Sequence, residues 1–168
     1  MEDIMRQTLH FVPIAMLSAV AAVGPAFAAD LPKEGAYDHT ACWSGVSNAI
    51  AFSKTHTASS WEITGTTRSN PPGGIFDKHS FRCVGIDYAL DGKAGGTSVC
   101  ESVDRDGDKR LTFFSTTGDK VVRENITGTG KYEGMIASGT VQPLGPFPVI
   151  KPGTLQNCNH HTGTYKLR

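Results

Sequence analysis

The chain carries no excess charge of either sign: 16 Lys and Arg face 16 Asp and Glu over 168 residues. That balance leaves no basic stripe with which to hold a phosphate backbone, so no nucleic-acid partner is expected. Charged residues are also sparse, at 19% against the roughly 25% of an average soluble protein. A disordered chain needs the opposite bias and is excluded. After residue 28 no stretch keeps the i, i+3, i+4, i+7 apolar rhythm of an amphipathic helix. No apolar run there approaches the roughly 20 residues of a spanning helix, so no membrane span is expected once the N-terminal segment is removed.

Catalytic signatures are missing as well. The sequence holds no G-x-S-x-G elbow, no H-E-x-x-H, no Walker loop and no G-x-G-x-x-G opening a helix. Gly128-Thr129-Gly130-Lys131 runs into a strand-like segment, without the helix N-terminus that a phosphate-cradling loop requires. There is no CxxC pair, so neither a zinc site nor any other metal or cofactor is expected.

What is present begins with an export signal. Met5 to His10 is a short polar segment with one Arg, Phe11 to Val23 is apolar, and Ala26-Phe27-Ala28 fits the small-residue pattern before a cut. This predicts a signal peptide over 1–28, one domain over 29–168, and a periplasmic or secreted product. The acidic Glu2-Asp3 is atypical of such a segment, and Met5 makes the better initiator. All four cysteines, Cys42, Cys83, Cys100 and Cys158, follow the cut. An even count in an exported chain reads as two disulfides with three possible connectivities. The favoured pairing is Cys83–Cys100, stapling neighbouring strands, with Cys42–Cys158 tying the two ends together.

Gly is abundant, at 19 residues, and with nine Pro it breaks the chain into short β-like runs. These cover 42–52, 60–68, 81–90, 97–104, 110–116, 120–127, 131–142 and 157–167. Eight strands at roughly even spacing predict an all-β fold, a single antiparallel eight-stranded barrel. The turns fall at Asp91 to Gly96, Asp106-Gly107, Gly118-Asp119 and Gly128 to Gly130. Two longer connections, 69–74 and 143–156, are rich in Pro and suit the covering of a site or contact with a partner.

Three constellations invite chemistry. Asp104-Arg105-Asp106-Gly107-Asp108-Lys109 starts like a calcium loop, but Lys109 stands where Gly belongs and Ser115 where a bidentate Glu belongs. A hairpin turn with Asp side chains bonded to nearby amides is the better account. In Asn157-Cys158-Asn159-His160-His161 the strand period puts Cys158 and His160 on one face and His161 on the other. Adjacent histidines therefore cannot share one metal ion. Strand parity supplies the third set. Glu101 shares a face with Val99 and Val103, Arg82 with Val84, Ile86 and Tyr88, and Tyr132 with Ile136 and Ser138. If those apolar faces point inward, Glu101, Arg82 and Tyr132 meet inside the barrel as acid, charge partner and phenol donor. Glu62, opposite in phase to Trp61 and Ile63, points outward.

The run Ile126 to Thr140, with Gly128-Thr129-Gly130-Lys131-Tyr132-Glu133-Gly134 at its centre, resembles the glycine-rich strand of the allene oxide cyclase-like and dirigent-like barrels. The likeness extends over about residues 80–142. It implies an eight-stranded calycin-type barrel whose central cavity holds a hydrophobic or phenolic ligand, which some members cyclise or couple largely through shape. No catalytic residue of those families maps onto this chain. The sequence therefore points to a non-catalytic exported barrel that binds a small hydrophobic molecule or serves as a structural or interaction domain. The alternative is a cofactor-free isomerase or cyclase using Glu101, Tyr132 and Arg82.

Overall fold

The computed structural model describes residues 31–118 and 120–168, and the expected signal peptide lies outside them. The described chain is an all-β barrel of eight antiparallel strands. They are β1 (Glu34–Ala51), β2 (Thr57–Ser69), β3 (Ser80–Leu90), β4 (Lys93–Val103), β5 (Lys109–Thr117), β6 (Lys120–Gly128), β7 (Ile136–Pro143) and β8 (Thr154–Lys166). The sheet runs β6-β5-β4-β3-β2-β1-β8-β7, a meander whose last strand folds back between the first and seventh. β6 and β7 are its two edges, and they meet side by side to leave the barrel nearly closed.

The strands follow the expected positions except at three starts: β1 begins at Glu34 rather than Cys42, and β4 and β7 are shifted as well. β4 starts at Lys93 because the turn before it is only Asp91-Gly92, both in the left-handed region at φ 52° and 75°. That is the two-residue hairpin turn whose twist matches the flanking strands. β7 starts at Ile136 rather than Lys131. Gly130 and Gly134, at φ 51° and 65°, leave extended backbone, and a 3-10 turn over Gly130–Tyr132 forms between them. The glycine-rich run thus spans the end of β6, this turn and β7, instead of one strand.

The pairing of the cysteines is as favoured. Cys83 and Cys100 face each other directly across β3 and β4, and Cys42 and Cys158 across β1 and β8. Cys83 is buried on the inner wall, whereas Cys42 is exposed on the outer one. Among the described residues no helix is long and apolar enough to cross a membrane.

One end of the barrel is plugged. The connection between β2 and β3 turns inward and buries Ile75, Phe76 and His79, and the 3-10 turn adds Tyr132 and Met135. Tyr37 and Tyr165 pack against them from β1 and β8. Thr67 holds the connection in place by donating to the Phe76 carbonyl and accepting from the His79 amide. The proline-rich part of this first connection, residues 70–74, stays exposed, and the chain turns into the core only from Ile75 onward. The second, from Pro143 to Gly153 at the opposite end, leaves Phe147, Val149 and Ile150 exposed.

Candidate functional site

Because side chains alternate along a strand, each strand turns every second residue into the lumen. The inward set includes His39, Ala41 and Trp43 of β1, Trp61 and Ile63 of β2, and Phe81 and Cys83 of β3. Ser98, Cys100 and Ser102 follow from β4, then Arg110, Thr112 and Phe114 from β5 and Arg123 from β6. Val141 and His161 complete the ring from β7 and β8. Together they bound a cavity of about 260 Å³, close to the lower end, roughly 300 Å³, of small-molecule sites.

The parity expected for Glu101 and Arg82 is reversed. Glu101 lies outside, paired to Lys109 at 2.7 Å, and Arg82 lies outside, paired to Glu62 at 2.7 Å. The reason is in the companions used to set the phase. Val84, Ile86 and Tyr88 are 47%, 51% and 41% exposed, while the inner wall of β4 is Ser98, Cys100 and Ser102. Apolar side chains thus cover part of the exterior, and small ones line part of the lumen.

Tyr132 is buried as expected, but in the plug. Its hydroxyl lies 3.0 Å from Asp104 Oδ2, 3.0 Å from His79 Nε2 and 3.2 Å from the Ile75 carbonyl oxygen. With one proton, the phenol donates to the carboxylate and accepts from the imidazole. Burial, reinforced by the charge and hydrogen bond of Asp104, pushes its pKa far up. Glu101 and Arg82 are direct partners in the β3–β4 ladder, but on the outer face, and Tyr132 is not with them. The Asp104–Asp108 turn is held as anticipated, with Asp104 Oδ1 accepting from the amides of Asp106 and Asp108 at 2.9 and 3.0 Å.

His160 and His161 point to opposite faces. His160 Nε2 lies 2.9 Å from Asp38 Oδ1 on the outside. His161 faces the lumen and stacks on His39. Among the described residues no cluster of three or more His, Cys, Asp or Glu is arranged to hold a metal ion.

The feature missed from the sequence is the group of cations at the plugged end of the lumen. The Arg110 guanidinium sits 4.1 Å from the Phe76 ring centroid, and that of Arg123 sits 5.4 Å from the same ring. Such stacking recovers part of the cost of burying a cation. Arg123 Nη1 donates to Tyr37 Oη at 2.8 Å, and Tyr37 donates to the Ser138 carbonyl at 3.2 Å. This chain of bonds joins β6 through β1 to β7 across the unpaired edges.

Arg110 is 8% exposed, and its Nε and Nη1 have no hydrogen-bond partner among the described residues. The same is true of Arg123 Nε and His39 Nδ1. Burial, with the charge of Arg123, lowers Arg110 to about 9. Burial and the neighbouring cations also lower His39 to about 2, and His79 and His161 to about 4. The histidines are therefore neutral and the arginines charged near neutral pH. The only hint in the sequence was phase: Arg110, Thr112 and Phe114 alternate against Leu111 and Phe113, and apolarity alone does not say which set is inside.

No family model matches this chain, and no match was found among curated proteins or solved structures.

Proposed function

We propose that this is an exported binding barrel, periplasmic or secreted, which holds a small apolar molecule in its lumen. One observation supports the reading: every strand contributes to one cavity, and Trp43, Trp61, Phe81 and Phe114 are among the residues that line it. A barrel of eight strands can fill its interior with side chains, and here room is left. The two disulfides suit an oxidising compartment. The isomerase or cyclase alternative loses the residues first assigned to it, since Glu101 and Arg82 face solvent and Tyr132 is locked into the plug.

Native mass spectrometry of protein isolated from its own compartment tests the reading. The expected spectrum shows a small molecule that stays with the folded chain and leaves on denaturation. A bare polypeptide mass, together with tryptophan fluorescence that decanol does not alter, overturns it.

A further inference from the structure

A lumen built only to hold hydrocarbon gains nothing from charge at its floor. Burying an ion without a partner is costly, and buried charges in proteins are normally paired. Here two guanidiniums lie close to the same Phe76 ring, and none of the described residues lining the cavity is an Asp or Glu. Acidic groups do exist close by, but they are engaged elsewhere. Asp104 is bonded to Tyr132 and Lys131, and Asp38 to His160. Among the described residues the donors Arg110 Nε and Nη1 and Arg123 Nε, and the ring nitrogen His39 Nδ1, have no partner, and Arg110 is more than nine-tenths buried.

Resting on the lumen-binding reading above, we infer that the ligand is an apolar carboxylate: its head pairs with Arg110 and Arg123 at the plugged end, and its body lies along Trp43, Trp61, Phe81 and Phe114. The guanidinium fork matches a planar carboxylate with two parallel hydrogen bonds, which a compact ammonium cannot do. Neutral His39 and His161 add polar edges beside the head without adding charge. Beside the arginines the lining is largely apolar, with Trp43, Trp61, Phe81, Phe114, Val121 and Val141 in it, and the hydroxyls of Ser98, Thr112 and Thr116 lie among them.

The chain has two tryptophans, and both line the cavity. Their fluorescence, with titration calorimetry, therefore reports lumen binding directly. Decanoate is compared with decanol, and hydrocinnamate with hydrocinnamyl alcohol, on the wild-type protein and on R110M and R123M. The carboxylates are expected to bind at least ~10-fold more tightly than the alcohols, a difference of about 1.4 kcal/mol. R110M is expected to abolish that preference, leave alcohol affinity within about twofold, and unfold no earlier than wild type, since it removes a charge that no described residue balances. R123M is expected to weaken the same preference, and also to lower the unfolding midpoint because it breaks the bond to Tyr37. Equal binding of acid and alcohol overturns the inference and leaves the lumen reading standing. Failure of both alcohols and both acids to bind overturns the two together. A lowered unfolding midpoint in R110M with the preference intact marks the guanidinium as structural and likewise overturns the inference.

Discussion

The rings of His39 and His161 stack face to face in the lumen wall, centroids 4.8 Å apart and planes within 10°. They come from β1 and β8, where the two residues are direct partners in the ladder. Protonating either would place a third cation beside Arg110 and Arg123, with His79 nearby. Burial and those charges hold His39 at about 2 and His161 at about 4, against an ordinary 6.5.

The consequence for stability has a definite sign. In the unfolded chain these imidazoles take up protons below pH 6.5, whereas in the folded chain His161 and His79 do so only near 4. The unfolded state thus binds more protons between those limits, and stability falls as pH falls through the window. Each histidine adds a slope of up to about 1.4 kcal/mol per pH unit. Urea unfolding at pH 7, 6, 5 and 4 is expected to show a declining midpoint that H161Q makes shallower. A flat profile over this range refutes the buried neutral assignment.

Phe76 is the other centre of the plugged end, fully buried and in edge contact with the rings of Tyr37, His39 and His79. It also carries the Arg110 guanidinium on its face. Truncation to Ala removes the ring, leaves a cavity in the plug and strips Arg110 of its stacking partner. The expected loss is about 3–5 kcal/mol, read as a lower guanidinium midpoint. An effect below about 1 kcal/mol, the scale of an ordinary substitution, shows that the loop does not plug the barrel.

How far the sequence reached is clearest on β3 and β4. Strand spacing, the turn residues and the four cysteines are local signals, and they led to eight strands and to the observed pairing. Which face of a strand looks inward is not local. Val99, Val103, Val84 and Ile86 suggested an inside that the structure assigns to Ser98, Cys100, Ser102 and Cys83. Cys83–Cys100, had its side-to-lumen placement been known, would have fixed both phases and sent Glu101 and Arg82 outward. The plug was illegible for a different reason. Ile75-Phe76 sits in a segment whose prolines and glycines announce a loop, and loops normally run over the surface. Residues 70–74 do so, and only the tertiary structure shows Ile75 and Phe76 after them turned into the core.

The two disulfides differ in what they close. Cys42–Cys158 spans 116 residues and lies on the outer wall, whereas Cys83–Cys100 spans 17 and lies on the inner one. Restricting the longer loop removes more freedom from the unfolded chain, about 4–5 kcal/mol against about 3 kcal/mol. The double variant C42S/C158S is accordingly expected to unfold at a lower denaturant concentration than C83S/C100S. Limited reduction of the folded protein, followed by alkylation and peptide mapping, is expected to label Cys42 and Cys158 first, because thiolate attack requires access. Labelling of Cys83 and Cys100 first would contradict the inner placement.

Lys131 occupies the place that a cation would take in the Asp104–Asp108 turn. Its Nζ lies 2.7 Å from Asp104 Oδ2, 2.7 Å from Asp106 Oδ2 and 3.8 Å from Asp108 Oδ2. Burial opposes charge on both partners, yet the hydrogen bonds from Lys131 and Tyr132 hold Asp104 below the usual carboxylate range, and those to Asp104 and Asp106 hold Lys131 above its own. The ammonium thereby fastens the 3-10 turn, and with it Tyr132, to the hairpin between β4 and β5. Adding calcium to the wild-type protein should leave its melting temperature unchanged, since the carboxylates are already neutralised from within the chain. K131M leaves the Asp104 carboxylate, 5% exposed, without its cation, and should cost about 3 kcal/mol. Raising the pH does not mimic the variant below the ordinary lysine range, because the pair keeps its proton there. A wild-type protein that calcium stabilises, or a K131M variant as stable as its parent, would show that the turn binds metal instead and that the plug does not depend on this ion pair.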